Sequence, residues 1–231
     1  MKLRVALAQI NPTVGDLAGN AALISKYTKE AQAASADVIV FPEMVLTGYP
    51  VEDLAMRASF RSASKKALTQ LVTSLDPSIV SVVGYLDESS TGAPQNKVAI
   101  IYGSKVAATY TKRHLPNYGV FDEFRNFVPG DSTLVIRVKG VDIGIAICED
   151  IWHSLADLAA RTPGLVLVPN GSPYERNKDD LRLALVQKRA KEVGAPLAYV
   201  NMTGGQDDLV FDGDTIVVDA KGSVISRAAQ F

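Results

Sequence analysis

Cysteine is nearly absent from this chain: Cys148 is the only one in 231 residues. A single thiol cannot form an internal disulfide, which fits a reducing compartment, and a cytoplasmic location is expected. Histidine is scarce too, with only His114 and His153. Zinc sites draw on several Cys and His ligands, so Cys148, Glu149, Asp150 and His153 are not read as a metal centre, and no metal is expected. There is no surplus of one charge: 24 basic residues face 25 acidic ones, for a formal net charge of −1. Nothing in that balance attracts nucleic acid or a membrane surface. No apolar run approaches the ~20 residues that span a bilayer. The charged start Met1-Lys2-Leu3-Arg4 leads into a short apolar stretch that stops at Asn11-Pro12, so no secretory signal is expected. Linkers rich in Pro, Gly and Ser, low-complexity segments and repeats are also lacking, and a single domain over residues 1–231 is the expectation.

What is present is a series of β-branched apolar runs. They lie at residues 5–10, 38–41, 79–83, 98–102, 106–110, 134–138, 141–147, 165–168, 197–200 and 216–218. These read as strands. Helical patterns fill 17–36, 57–75, 154–161 and 179–193. Asp179 and Asp180 open the last of these, and Gly194 with Pro196 closes it, as capping rules expect. Short turns at Gly103-Ser104-Lys105 and Lys139-Gly140 suggest hairpins, whereas the runs near 38 and 165 are bracketed by helices. The fold class is α/β, with mixed sheets covered by helices. The segment Val224 to Phe231 reads as a strand leading into something absent, as in a fragment of a longer chain.

Three segments share one grammar, an apolar strand followed at once by a reactive side chain. In Val38-Ile39-Val40-Phe41-Pro42-Glu43 the proline ends the ladder and leaves Glu43 at the rim. In Thr109-Tyr110-Thr111-Lys112 the strand ends on a lysine. In Ile143-Gly144-Ile145-Ala146-Ile147-Cys148-Glu149-Asp150 it ends on the thiol, with an acidic pair opening what looks like a helix. Free backbone N–H groups at such a junction favour a thiolate or an oxyanion. Taken singly, each residue has a plainer reading: a solvated loop glutamate, a surface lysine, a packed core cysteine. Taken together they suit acyl transfer, with a carboxylate as base, a lysine stabilising negative charge, and a thiol as nucleophile.

Phe41-Pro42-Glu43, Lys112 and Cys148-Glu149-Asp150 resemble the motifs of the nitrilase-like carbon–nitrogen hydrolase superfamily. Three longer strings, residues 46–54, 115–125 and 204–213, are similar to the N-terminal glutaminase domains of glutamine-dependent NAD⁺ synthetases. The resemblance covers the whole chain. It implies a four-layer αββα sandwich and a Glu-Lys-Cys triad, with Glu43 as general base, Lys112 as electrostatic stabiliser, Cys148 as nucleophile and Glu123 as a supporting glutamate. A loop acid pairing Arg125 is the plainer reading of Glu123. The implied substrate is glutamine, held by Tyr118, Glu149, Ser172 and Lys178, with Arg176 an alternative to Lys178 for the substrate carboxylate. Ser172-Pro173 would otherwise be a plain turn, and Trp152 is expected to be a packing residue.

The same resemblance implies a partner synthetase domain, which amidates nicotinic acid adenine dinucleotide with ATP and Mg; that domain is expected to be absent here. The glutaminase part itself needs no cofactor. Thr203-Gly204-Gly205-Gln206-Asp207-Asp208 looks like a phosphate loop but ends on a carboxylate, so it is read as a loop without ATP. Homo-oligomers are expected. Two other readings stay open: a free-standing amidase or nitrilase acting on another amide, and an inactive oligomerisation module.

Overall fold

A computed structural model describes residues 2–176 and 179–231, so Asn177 and Lys178 lie outside the described residues. The first half runs β1 (Val5–Leu7), α1 (Leu17–Ala33), β2 (Val38–Val40), α2 (Ala58–Ser74), β3 (Val80–Glu88), β4 (Pro94–Tyr102) and β5 (Lys105–Thr111). The second half runs α3 (Glu123–Asn126), β6 (Leu134–Val138), β7 (Val141–Ile145), α4 (Ala156–Ala159), β8 (Leu165–Asn170), α5 (Asp179–Val193) and β9 (Leu197–Asn201). It closes with β10 (Thr203–Gln206), β11 (Leu209–Asp212), β12 (Ile216–Val218) and β13 (Val224–Arg227).

Strand order separates two mixed sheets, β1-β2-β3-β4-β5 and β13-β12-β9-β8-β7-β6. The stretches bracketed by helices pair in parallel: β1 with β2, β2 with β3, β7 with β8 and β8 with β9. The runs joined by tight turns pair antiparallel. Both turns use left-handed backbone, at Gly103 and Ser104 and at Lys139 and Gly140, which matches the strands' own twist.

Period-two alternation along each strand builds the layers. Val38 and Val40 face the second sheet, while Ile39 and Phe41 face α1 and α2. On the other side Ile143, Ile145 and Leu167 face inward, while Val166 and Val168 meet α5. Helix α1 buries Asn20, Ile24, Thr28 and Ala31, and α2 buries Ser64, Leu68, Leu71 and Val72, each one helical stripe. Three apolar cores therefore separate four layers: helices, sheet, sheet, helices. Each fully buried Val, Leu or Ile contributes about 1.5–3 kcal/mol to holding them together.

Some boundaries depart from expectation. Helix α1 stops at Ala33 because Ser35 turns left-handed (φ 57°) and the Ala36 N–H closes back on the Ala31 carbonyl. A non-glycine residue performs this C-terminal closure, so the stop carries no compositional signal. The helix expected over 154–161 shrinks to α4, because Glu192 captures the Ser154 hydroxyl and the Leu155 N–H from outside. The segment read as a loop at 203–208 forms the β10–β11 hairpin, with only Asp207 and Asp208 at its turn. Its backbone groups serve the ladder. Gly204 is needed there, since a Cβ would come within 2.1 Å of the Asn11 side chain.

Candidate active site

The candidate residues sit at the carboxyl ends of parallel strands β2, β7 and β8 and at the end of β5. Along β5, Ala108 and Tyr110 pack into the inter-sheet core, and Lys112 continues the same inward face two residues on. Along β7 and beyond it, Ile143, Ile145 and Ile147 do the same, and the chain then reverses at Cys148, whose φ is 42°. A non-glycine residue held in that region is strained by about 1–3 kcal/mol. The expected helix after Cys148 is a single 3-10 turn, Cys148–Trp152. It is too short for a sizeable dipole, so local backbone N–H groups are what it offers. Glu43 follows Pro42, and its segment lies directly on β3: a Cβ at Gly84 would meet the Met44 nitrogen at 2.2 Å.

These positions bring three charged side chains together in the dry interior. Lys112 Nζ donates to Glu43 Oε1 at 2.7 Å and to Glu123 Oε1 at 2.9 Å. Glu123 Oε2 is also 2.9 Å from the ammonium, but the angle leaves that oxygen without a hydrogen bond. Glu43 receives two further donors, Asn96 Nδ2 at 2.7 Å on Oε1 and the Gly171 N–H at 2.9 Å on Oε2. Tyr49 donates its hydroxyl to Glu123 Oε1 at 2.8 Å. Glu123 does not pair Arg125, which instead meets Asp122 and Glu52.

Burial pulls the Lys112 ammonium down, yet Glu123 and Glu43 outweigh it and hold it well above the usual lysine range. Burial raises Glu123, Glu43 adds to that, and Lys112 offsets only part, leaving the carboxyl at about 7. The Cys148 thiol feels the same cluster. Burial and the Glu43 charge push it well above its ordinary value, with Lys112 pulling the other way. Burial and Glu43 thus oppose the thiolate that the strand-to-helix junction alone suggests. Among the charged groups that bear on the sulfur, Glu43 acts most strongly. Carboxylate oxygens accept about two hydrogen bonds each. Oε1 is filled by Lys112 and Asn96, while Oε2 carries one donor and can accept another.

Two of the expected substrate contacts meet. Tyr118 donates its hydroxyl to Glu149 Oε2 at 2.9 Å, and burial raises the Glu149 carboxyl. His153 Nε2 lies 3.7 Å from Glu149 Oε1, and its ring stacks on His114 at 3.9 Å. Ser172 is buried on the loop after β8, its N–H donated to Asn201 Oδ1. That loop is thus pinned, not a plain turn. Arg176 is exposed at a turn, and Lys178 lies outside the described residues. Trp152, expected to pack, is 39% exposed at the end of the 3-10 turn, which leaves its ring beyond the core.

Four residues escaped the sequence reading. Asn96 shares the inward face of β4 with Val98 and Ile100, and a buried Asn in an apolar alternation was the available signal. Tyr49 and Gly171 offered none. Asp150 sat in plain view, but was weighed as a helix-opening acid, a motif residue and a metal ligand, not as a tether. It is buried and accepts from the Ile147, Arg113 and His114 N–H groups and from the Tyr110 hydroxyl at 2.8–3.0 Å. One carboxylate thus clips the Cys148 turn to the strand end that carries Lys112.

Comparison with known proteins fits this geometry. The family model described as carbon–nitrogen hydrolase matches residues 4–231. The chain belongs to the carbon–nitrogen hydrolase family. The sequence is 46% identical over 234 residues to the glutamine-dependent NAD(+) synthetase of Xylella fastidiosa, an alignment covering 99% of this chain and 43% of that protein. The solved glutamine-dependent NAD⁺ synthetase of Acinetobacter baumannii superposes with a TM-score of 0.95 at 37% identity, over 99% of this chain and 44% of that one. A nitrilase-superfamily amidase from Nesterenkonia superposes with a TM-score of 0.84 at 25% identity, over 98% of this chain and 86% of its own. The chain thus spans less than half the length of these synthetases. As a carbon–nitrogen hydrolase it shows the family's four-layer α/β sandwich. No helix among the described residues is long and apolar enough to cross a membrane.

Proposed function

We propose that the chain is a glutaminase domain that hydrolyses the side-chain amide of glutamine through a cysteine thioester. The observation that carries this is the buried Glu43–Lys112–Glu123 cluster acting on a lone thiol, in a chain aligned end to end with glutamine-dependent synthetases. Cys148 sulfur attacks the amide carbon as Glu43 Oε2 takes its proton. The oxyanion is held by Lys112 and by the backbone N–H near Glu149. Glu43 returns the proton to the departing nitrogen, and ammonia leaves. Water then adds to the thioester while Glu43 takes its proton, and glutamate leaves with the sulfur reprotonated. An amidase from Nesterenkonia sp. carries an acrylamide adduct at its active site cysteine, which supports a thiol of this kind as the reacting atom.

On this reading Glu149, hydrogen-bonded to Tyr118, meets the substrate ammonium, and Ser172 with Arg176 or Lys178 meets its carboxylate. Ammonia would pass to a synthetase domain that uses ATP, in a cytoplasmic homo-oligomer. No step on this chain calls for a metal or cofactor. Replacing Cys148 with Ala should reduce glutamate release to the uncatalysed background while the melting transition stays in place; turnover at wild-type speed would refute the assignment. A panel of glutamine against simple aliphatic amides separates this reading from a general amidase.

A further inference from the structure

We propose that Asn201 is a positioning residue for Glu43, acting through the backbone of Gly171 to Pro173. The inference rests on the glutaminase reading and adds a residue to its machinery. Asn201 is fully buried at the carboxyl end of β9, directly opposite Asn170 at the end of β8. Its side chain grips Ser172 twice, accepting from the Ser172 N–H at 2.9 Å and donating to the Ser172 carbonyl at 3.0 Å. The remaining Nδ2 hydrogen goes to the Gly213 carbonyl at 2.9 Å. Both peptide planes beside Ser172 are therefore fixed, and the preceding Gly171 N–H meets Glu43 Oε2 at 2.9 Å.

The far end of the loop is locked as well. Arg182 donates to the Pro173 carbonyl at 2.8 Å and is itself anchored on both oxygens of Asp212, at 2.8 Å each. Asp212 adjoins Gly213, so Arg182 and Asn201 tie the same two loops together. On its outer side Gly171 is wedged against Tyr49, whose ring a Cβ would meet at 2.7 Å. The N–H that meets the Glu43 carboxylate thus has its place set by the side chains of Asn201, Arg182 and Tyr49. Reaction rates are sensitive to such placement, with about a hundredfold lost for a 1 Å error.

The test compares wild type with Asn201→Ser and Arg182→Lys, each checked by thermal unfolding. Asn201→Ser should lower kcat for glutamine by about 10- to 100-fold with KM kept within about threefold. Losing a donor to a carboxylate destabilises its charged form, so the acid limb of the kcat/KM profile should move up by about one pH unit. Alkylation of Cys148 by iodoacetamide, which needs no glutamine site, should slow by a similar factor. Arg182→Lys should change all three readouts in the same direction by less, and it carries the test should Asn201→Ser not fold. A folded variant with the wild-type pH profile and alkylation rate overturns the proposal. So does a rise in KM alone, which would assign the loop to substrate binding through Ser172. If wild type releases no glutamate yet the variants slow alkylation, the glutaminase reading fails and the positioning role stands.

Discussion

Two buried charge clusters flank the Gly171–Pro173 loop and differ in one count. Around Arg182 one guanidinium meets one carboxylate, Asp212, with the Pro173 carbonyl as a further acceptor. Around Lys112 one ammonium meets two carboxylates, Glu43 and Glu123. The first cluster is neutral overall and its geometry is rigid. The second holds one negative charge too many in a dry site, and the excess appears in Glu123, which reaches about 7, and in a thiol pushed above its usual range. Balanced burial holds the Pro173 backbone in place, whereas unbalanced burial leaves a surplus negative charge that bears on the Cys148 thiol.

The strongest way to break this contrast is to delete the cation from the unbalanced cluster. Lys112→Met should abolish turnover and lower stability by about 3–5 kcal/mol near neutrality. Two buried carboxylates then share a dry site with no cation, which disfavours the state in which both are charged. The variant should therefore regain stability as pH falls, which denaturant midpoints at pH 5 and pH 8 would show. Equal losses at both would count against two ionised acids sharing the site. Arg182→Met, in the balanced cluster, should also cost about 3–5 kcal/mol by stranding Asp212. The same denaturant titration measures it; a loss below about 1 kcal/mol would mean that the pair is not a buried anchor.

The smallest expected effect is the most diagnostic of imbalance. Glu123 has a folded pKa raised from 4.5 to about 7. The stability tied to its proton is fully present below about pH 4.5 and is lost as pH rises towards 7. Glu123→Gln should flatten the decline in stability across that window. An unchanged slope would show that Glu123 is ionised throughout and that the cluster's extra charge resides elsewhere.

The positions of the three candidate side chains were readable because each ends an inward-facing alternation: Ala108-Tyr110-Lys112, Ile143-Ile145-Ile147 before Cys148, and Val38-Val40 before Pro42-Glu43. Period two along a strand is a local property, so position on a face follows from spacing. Asn96, Tyr49 and Asn201 were not readable as partners because what they bind lies far along the chain. Glu43 and Asn96 are 53 positions apart, Tyr49 and Glu123 are 74 apart, and no pattern of spacing encodes such a pairing. The short turn after Cys148 and the 203–212 hairpin were misjudged for a related reason. Glycines and acidic residues suggest a loop or a helix start, while ladder partners and the Asp150 clip settle the matter.

Composition and alternation were enough to specify an α/β fold with mixed sheets, a lone thiol and the strand ends at which an acid, an amine and that thiol would lie, while the four-layer sandwich was implied by the family resemblance. Folding supplied the rest: that two acids share one amine, that burial and Glu43 push the thiol upward, and which amides hold Glu43. Side-chain direction is set by neighbours in the chain, whereas ionisation and hydrogen bonding depend on what burial removes from water and on what distant strands bring alongside.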